Sequence, residues 1–244
     1  MNKITEEILG KRKVTDAEGK EYPLHSETPL AQNQFLGKLI AEIDASVCVE
    51  IGLAYGISSL FIAEAIAAKK NPRLVSIDPY QSAWQEIGLL NLKRAGYREF
   101  VEFHREPSHA VLPRLLAAGE RIDFAYVDTS KVFDVLLVDA YYLTRLLRVG
   151  GIVAFDDCMQ PGLRKLVRFM TRWPHLTVAG KHNVYHSSLK RRTLSRLMQM
   201  VPQKEKIFSD LRLVLDEELG TNANCVAFQK TAEDERPWDW FCDF

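Results

Sequence analysis

After Asp44 the chain alternates between short apolar runs and amphipathic stretches, and this alternation sets the fold expectation. The runs "VCVEI", "RLVSID", "FVEFHR", "IDFAYVD" and "GIVAFDD" read as strands. The stretches "ISSLFIAEAIAAK", "SAWQEIGLLNLKRAG", "SHAVLPRLLAAG", "FDVLLVDAYYLTRLL" and "GLRKLVRFMTRW" read as helices. Strands that are apolar almost throughout are covered on both faces, so the spacing predicts an α/β architecture with a doubly wound, parallel sheet. Beyond Trp173, "LTVAG" and "NCVAFQK" predict two more strands, an antiparallel hairpin that closes the sheet. The segment between them, about 187–221, reads as a helical insertion interrupted near Pro202. Upstream, "TPLAQNQFLGKLIAEI" predicts a helix capped by Thr28, with Pro29 at its first position and an apolar stripe of Leu36, Leu39, Ile40 and Ile43. Residues 1–44 are therefore expected to be a loosely held lead-in and one helix, and 45–244 the main domain.

Composition narrows the function. Lysine plus arginine equal aspartate plus glutamate at 32 each, so net charge predicts neither a nucleic-acid nor a membrane partner. No apolar run approaches the roughly 18 to 20 residues that span a bilayer, and the charged N-terminus lacks a signal-peptide core. Cys48, Cys158, Cys225 and Cys242 show no C-x-x-C spacing, which predicts reduced thiols and a cytoplasmic setting.

The polar residues of the strands gather at their C-terminal ends: Glu50, Asp78, Asp128, Asp156 and Asp157. In an open parallel sheet that edge carries the ligand crevice. The first strand leads into E-x-G-x-x-x-G, made by Glu50, Gly52 and Gly56, and Asp78 follows Gly56 by 22 residues at the end of the next strand. Ala54 stands where a dinucleotide fingerprint needs its second glycine, and the Walker spacing is absent. An acid placed like Asp78 accepts ribose hydroxyls, so a nucleoside without phosphates fits better than NAD.

In the ordered series "VEIGLAYGISS", "VSIDPY", "HREPSHAVLPRLL", "FAYVDTSK" and "LLRVGGIVAFDD", the chain resembles the class I S-adenosylmethionine-dependent methyltransferases, most of all the catechol-type O-methyltransferases and their bacterial relatives. The resemblance covers roughly Val47 to Val167. It implies a Rossmann-like seven-stranded sheet, mostly parallel with a C-terminal antiparallel strand. It implies S-adenosylmethionine as cofactor, with Gly52 and Gly56 beside its methionine part, Ser58 on its carboxylate, Glu50 fixing the turn, Asp78 on the ribose, Ser108 and His109 at the adenine, and Asp128 near the amino group. It further implies a small-molecule acceptor methylated at a hydroxyl oxygen, with Lys131 of the D-x-x-K pattern as general base beside Asp128.

Asp128, Asp156 and Asp157, at the ends of two neighbouring strands, supply oxygen ligands that suit Mg²⁺ or Ca²⁺. The chain departs from the family pattern in having Asp-Asp where Asp-Asn is usual, and many bacterial relatives carry histidine in place of Lys131. Metal-independent transfer, with Lys131 or His25 as base, therefore stays open, as does a catalytically silent cofactor-binding protein. Paired acids after a strand also cap turns. His25 is read as a surface residue and His104 as a core or rim residue. Leu194, Leu197, Met198 and Val201 are read as a packing face, with Lys190, Arg191, Arg192 and Arg196 left as a rim for an anionic substrate. The aromatic C-terminus "PWDWFCDF" is read as an anchor to the body or to another subunit, a homodimer being the expected assembly.

Overall fold

The computed structural model describes residues 1–201 and 214–242. Among these described residues nine strands form in chain order: β1 (Lys13–Thr15), β2 (Glu21–Pro23), β3 (Val47–Ile51), β4 (Arg73–Ile77), β5 (Val101–His104), β6 (Ile122–Val127), β7 (Leu147–Phe155), β8 (Leu176–Val184) and β9 (Ala223–Lys230). The helices among the described residues are α1 (Lys3–Lys11), α2 (Leu30–Glu42), α3 (Ile57–Ile66), α4 (Ile87–Arg94), α5 (Ser108–Ala117), α6 (Phe133–Leu146), α7 (Pro161–Met170), α8 (Leu189–Gln199) and the single turn α9 (Asp216–Leu219).

Strands β3 to β9 make one sheet in the order β5-β4-β3-β6-β7-β9-β8. The first five pair in parallel, and β9 runs antiparallel to both β7 and β8, as the alternation and the late strand pair predict. Val49, Val75 and Ala125 lie in register across the centre of the sheet. Their neighbours along each strand alternate between two cores, so both faces must be apolar. One core packs the sheet against α5, α6 and α7 through Leu112, Leu136, Leu143 and Leu166. The other packs it against α2, α3 and α4 through Leu36, Ile40, Leu60 and Leu92.

From β3 the chain moves outward to β4 and β5, then crosses back to β6 on the other side of β3. The ends of β3 and β6 are therefore the topological switch point, where an open sheet leaves a crevice.

Three expectations change. The lead-in is folded: α1 and the β1–β2 hairpin place Ile8, Val14 and Leu24 in the second core, and the Asn2 amide donates to the Ala95 carbonyl and the Tyr97 hydroxyl. The stretch after β4 is two pieces, a 3-10 turn (Gln81–Trp84) and α4, separated by left-handed Gln85 and Glu86. It breaks there because Gln81 turns its side chain back onto the Ala54 carbonyl and Asp78. Finally, the presumed packing face of α8 leaves Leu194 and Leu197 more than half exposed. The middle of the insertion, with Pro202, lies outside the described residues. Its far end is tied to the body by Asp216, which accepts from Arg164 and Arg168.

At the C-terminus Arg236 lies between the Trp173 and Trp240 rings, 4.5 and 4.7 Å from their centroids, and so fastens the tail to α7 and β8. Trp238 and Phe241 remain exposed. Among the described residues no helix is long and apolar enough to cross a membrane.

The folded lead-in makes a direct prediction. Ile8→Ala should lower unfolding free energy by about 2 kcal/mol in urea titration, as expected for truncating a buried isoleucine; no change would mean that α1 is not part of the cooperative core.

Candidate functional site

The turn from β3 into α3 is shaped by lack of space. Gly52 has φ +101°, and a Cβ there would stand 1.9 Å from the Asp128 carbonyl oxygen, so the ends of β3 and β6 touch backbone to backbone. Gly56 caps α3 in a left-handed conformation, and no side chain covers the first N–H groups of that helix. Such uncovered N–H groups form a ready site for a carboxylate.

Two acids hold the turn from behind. Asp78 is almost fully buried; its Oδ2 accepts from the Leu53 and Ala54 N–H groups at 3.2 and 3.0 Å and from the Gln81 amide at 3.0 Å. Its Oδ1 accepts from the Tyr80 N–H at 2.7 Å. Glu50 is fully buried and accepts from the hydroxyls of Ser58, at 2.5 Å, and Ser59. Burial pushes its carboxyl up to about 8, against the pull of the two serines, so it carries its proton at neutral pH.

Beyond the turn lies a cavity of about 530 Å³ at the switch point. Gly52, Ser58, Asp128, Lys131, Asp156 and Asp157 all line it. Lys131 is in the loop before α6, where its ammonium donates to Asp128 Oδ1 at 3.0 Å and pairs with Asp157 at 2.7 Å. Gly162 at the start of α7 allows this loop to sit close, since a Cβ there would stand 2.4 Å from the Lys131 carbonyl oxygen. Burial works to lower the lysine's pKa, but the two carboxylates outweigh it and hold Lys131 above its ordinary value. Asp128 is raised, first by burial and then by Asp156, with Lys131 opposing.

Asp156 faces inward. Its Oδ2 accepts from the Tyr126 hydroxyl at 2.8 Å, and its Oδ1 accepts from the Asn224 amide and the Asp157 N–H at 2.9 and 2.7 Å. The Tyr126 hydroxyl in turn accepts from Gln32 of α2 at 3.1 Å and lies 3.3 Å from Thr28. This buried polar chain ties the lead-in, the sheet and β9 to the cavity. Asp157 adopts a left-handed φ of +53°, which turns its carboxylate away from Asp156 and toward Lys131.

The expected oxygen set for a divalent ion does not form as a set. Asp128, Asp156 and Asp157 come to one edge, but both oxygens of Asp156 are committed to protein donors and a lysine bridges the other two. Among the described residues no group of three histidine, cysteine or acidic side chains is arranged to hold a metal. Lys131, expected as general base, is a cation between two carboxylates.

Other placements were only partly foreseen. Ser108 and His109 start α5 and lie off the cavity wall, Ser108 buried and His109 exposed. His25 is exposed yet lines the cavity, its Nε2 3.2 Å from the Tyr55 hydroxyl and its ring against Trp84. Tyr55, Trp84 and Asn224 were missed. Only Tyr126 had a signal, as a hydroxyl in an otherwise apolar strand.

Solved structures of methyltransferases share the fold so described. Solved structures of this shape include cofactor-bound Rv0187 from MTB, with a TM-score of 0.61 and 20% identity over 86% of this chain and 84% of that one. Another is the O-methyltransferase TomG from Streptomyces achromogenes, with a TM-score of 0.60 and 19% identity over 84% and 82%. Residues 49–158 match a family described as a methyltransferase domain. The flavonoid 3',5'-methyltransferase of Vitis vinifera is 31% identical over 157 residues, 63% of this chain and 64% of that protein. Caffeoyl-CoA O-methyltransferase 2 of Petunia hybrida is 32% identical over 154 residues, 58% and 62% of the two chains. The chain thus spans a little under two thirds of these curated relatives. Residues 49–158 are similar to a methyltransferase domain, and these curated relatives are themselves methyltransferases.

The protonated state of Glu50 has a measurable consequence. Its folded pKa lies above its ordinary value of 4.5, so the stability its proton contributes is full below about pH 4.5 and is lost as pH rises through about 8. Glu50→Gln should flatten the melting temperature across that window and raise it at pH 8 relative to wild type. An unchanged slope would mean that Glu50 is already ionised when folded.

Proposed function

We propose that the protein is an S-adenosylmethionine-dependent methyltransferase acting at a hydroxyl oxygen of a small molecule. The observation that carries this reading is one cavity, lined on one side by the glycine turn and on the other by Asp128, Lys131 and Asp157. The cavity fits a nucleoside with an amino-acid tail: the uncovered N–H groups of α3, with Ser58 among them, suit the tail carboxylate, and Asp128 suits its amino group. Gly52 and Gly56 keep the turn close to it and Glu50 holds α3 in place. Asp78 sits at the next strand end, where a ribose would lie, its Oδ1 holding one amide and keeping acceptor capacity. Ser108 and His109 stand one strand further, for the base.

The cofactor supplies a methyl group on a sulfonium, and the chain has to align an acceptor oxygen with it and remove the oxygen's proton. Lys131 carries both tasks. Its ammonium holds the acceptor oxygen in place; as the oxygen reacts, its proton passes to Nζ while an Nζ proton passes to Asp128 Oδ1. The raised pKa of Asp128 makes it a better final base than an ordinary carboxylate. Asp157 keeps the ammonium centred. No step runs through a metal, because Asp156 is spent on Tyr126 and Asn224.

His25, Tyr55 and Trp84 wall the outer side of the cavity, so the lead-in helps shape the acceptor pocket together with the 45–244 domain. Three fully buried free cysteines support a reducing, cytoplasmic setting, and the exposed Trp238 and Phe241 support a homodimer.

Two experiments test this. Titration calorimetry should find S-adenosylmethionine binding to wild type and none to Gly52→Val, whose side chain would drive into the Asp128 carbonyl; the absence of binding to wild type sinks the proposal. With labelled cofactor and catechol as test acceptor, Lys131→Met should lose at least about a hundredfold in turnover, the scale of general acid-base catalysis, with cofactor affinity retained. Turnover should be equal in EDTA and in Mg²⁺. A requirement for Mg²⁺ would contradict the lysine-centred mechanism while leaving the cofactor assignment intact.

A further inference from the structure

The sheet edge that carries the switch-point crevice carries a second cavity, two strands further on. β7 and β8 both run antiparallel to β9, and so parallel to each other, which brings the residues after β8 out at the same edge as Asp156 and Asp157. There a cavity of about 330 Å³ is lined by Met159, Arg164, Tyr185, Ser188, Arg191 and Asp216, among others. Met159 lies two residues from Asp157, which lines the first cavity, so the loop from β7 to α7 contributes to both.

The walls of this second cavity hold more positive charge than they use. Asp216, itself buried, accepts from Arg164 Nε and Nη2 at 2.8 and 3.0 Å, from Arg168, and from the Tyr185 hydroxyl at 3.1 Å. Two guanidiniums thus share one carboxylate. Arg191, on the first turn of α8, adds a third cation, and among the described residues it has no ion-pair partner. Burial, and then the like charges of Arg164 and Arg191, pull Arg168 below the usual arginine range against the opposing effect of Asp216. The N-terminus of α8, capped by Ser188, adds its partial positive charge on the same side. Anchoring the insertion accounts for Arg164, Arg168 and Asp216. It does not account for Arg191 or for the space beside it.

We propose that this second cavity binds an oxyanion, a carboxylate or a phosphate, which is the acidic end of the methyl acceptor. The proposal rests on the methyltransferase reading above and adds to it the chemical class of the acceptor: a hydroxyl at one end, beside Lys131, and a negative charge at the other, beside Arg191 and Arg164. A guanidinium matches either oxyanion with paired N–H donors. Arg164 gives its Nε and Nη2 to Asp216 and keeps Nη1 for a ligand, while Arg191 brings its whole fork. Of the basic residues expected to form an anionic-substrate rim, Arg192 is taken by Glu217 and Arg191 lines the cavity.

Calorimetry with inorganic pyrophosphate and with glutarate, without cofactor or acceptor, tests the site and separates phosphate from carboxylate. At least one of the two should bind wild type. Arg191→Gln should weaken that binding by about tenfold, the worth of a charge-assisted hydrogen bond, and Arg191→Lys should keep part of it. Arg191 is exposed, so the fold does not depend on it. No binding of either anion to wild type, or equal binding to Arg191→Gln, overturns the proposal. The link to the acceptor is read from turnover of catechols that bear a carboxylate on tails of increasing length, each compared with its methyl ester. Wild type should prefer the free acid by about tenfold in kcat/KM at one tail length or more, and Arg191→Gln should lose that preference by losing turnover of the acid. A preference absent at every length, or kept in Arg191→Gln, overturns the assignment to the acceptor. Failure of wild type to bind S-adenosylhomocysteine sinks the methyltransferase reading, while the anion titrations still decide whether the site exists.

Discussion

The contact on which the rest depends is the backbone collision avoided at Gly52. The end of β6 lies so close to the end of β3 that the Asp128 carbonyl occupies the place of a Cβ. This contact brings two strand ends together at the switch point, and with them the two halves of the cavity. The turn itself is held from below by the N–H groups of Leu53 and Ala54 on Asp78. Helix α3 is held by the bonds of Ser58 and Ser59 to Glu50. A side chain at position 52 would push Asp128, and with it Lys131, away from the turn.

Five acids at one sheet edge would repel one another if each stayed a bare anion, and the chain deals with each differently. Glu50 keeps its proton. Asp78 is wrapped in amide donors. Asp156 is spent on a tyrosine, an asparagine and a backbone N–H. Asp128 and Asp157 share a lysine. The result is a site in which an ammonium lies between two carboxylates.

The sheet was legible because its central strands β3, β4, β6 and β7 are mostly apolar runs, and the acids at the strand ends marked its working edge. Asp128, Lys131, Asp156 and Asp157 were therefore found together, and the glycine spacing located the turn. The roles within that edge were harder to read. Whether Asp156 faces a cation or a tyrosine depends on Asn224, which lies 68 residues further on, and on Gln32 of α2, which holds the Tyr126 hydroxyl. Periodicity carries no such information. The lead-in was misjudged because Ile8 and Val14 are isolated apolar positions among charges, and their burial depends on a core assembled from later helices. His25 was read as a surface residue and is exposed, but its place on the cavity wall was not legible, because Tyr55 and Trp84 beside it are far from it in sequence.

The most direct test of the account is a crystal structure of the protein with S-adenosylhomocysteine. The account predicts the ligand's carboxylate at the N-terminus of α3, its ribose at Asp78, its base beside Ser108, and Lys131 still between Asp128 and Asp157. A ligand bound away from the glycine turn, or Lys131 swung out of the pair of carboxylates to admit a metal ion, would contradict it.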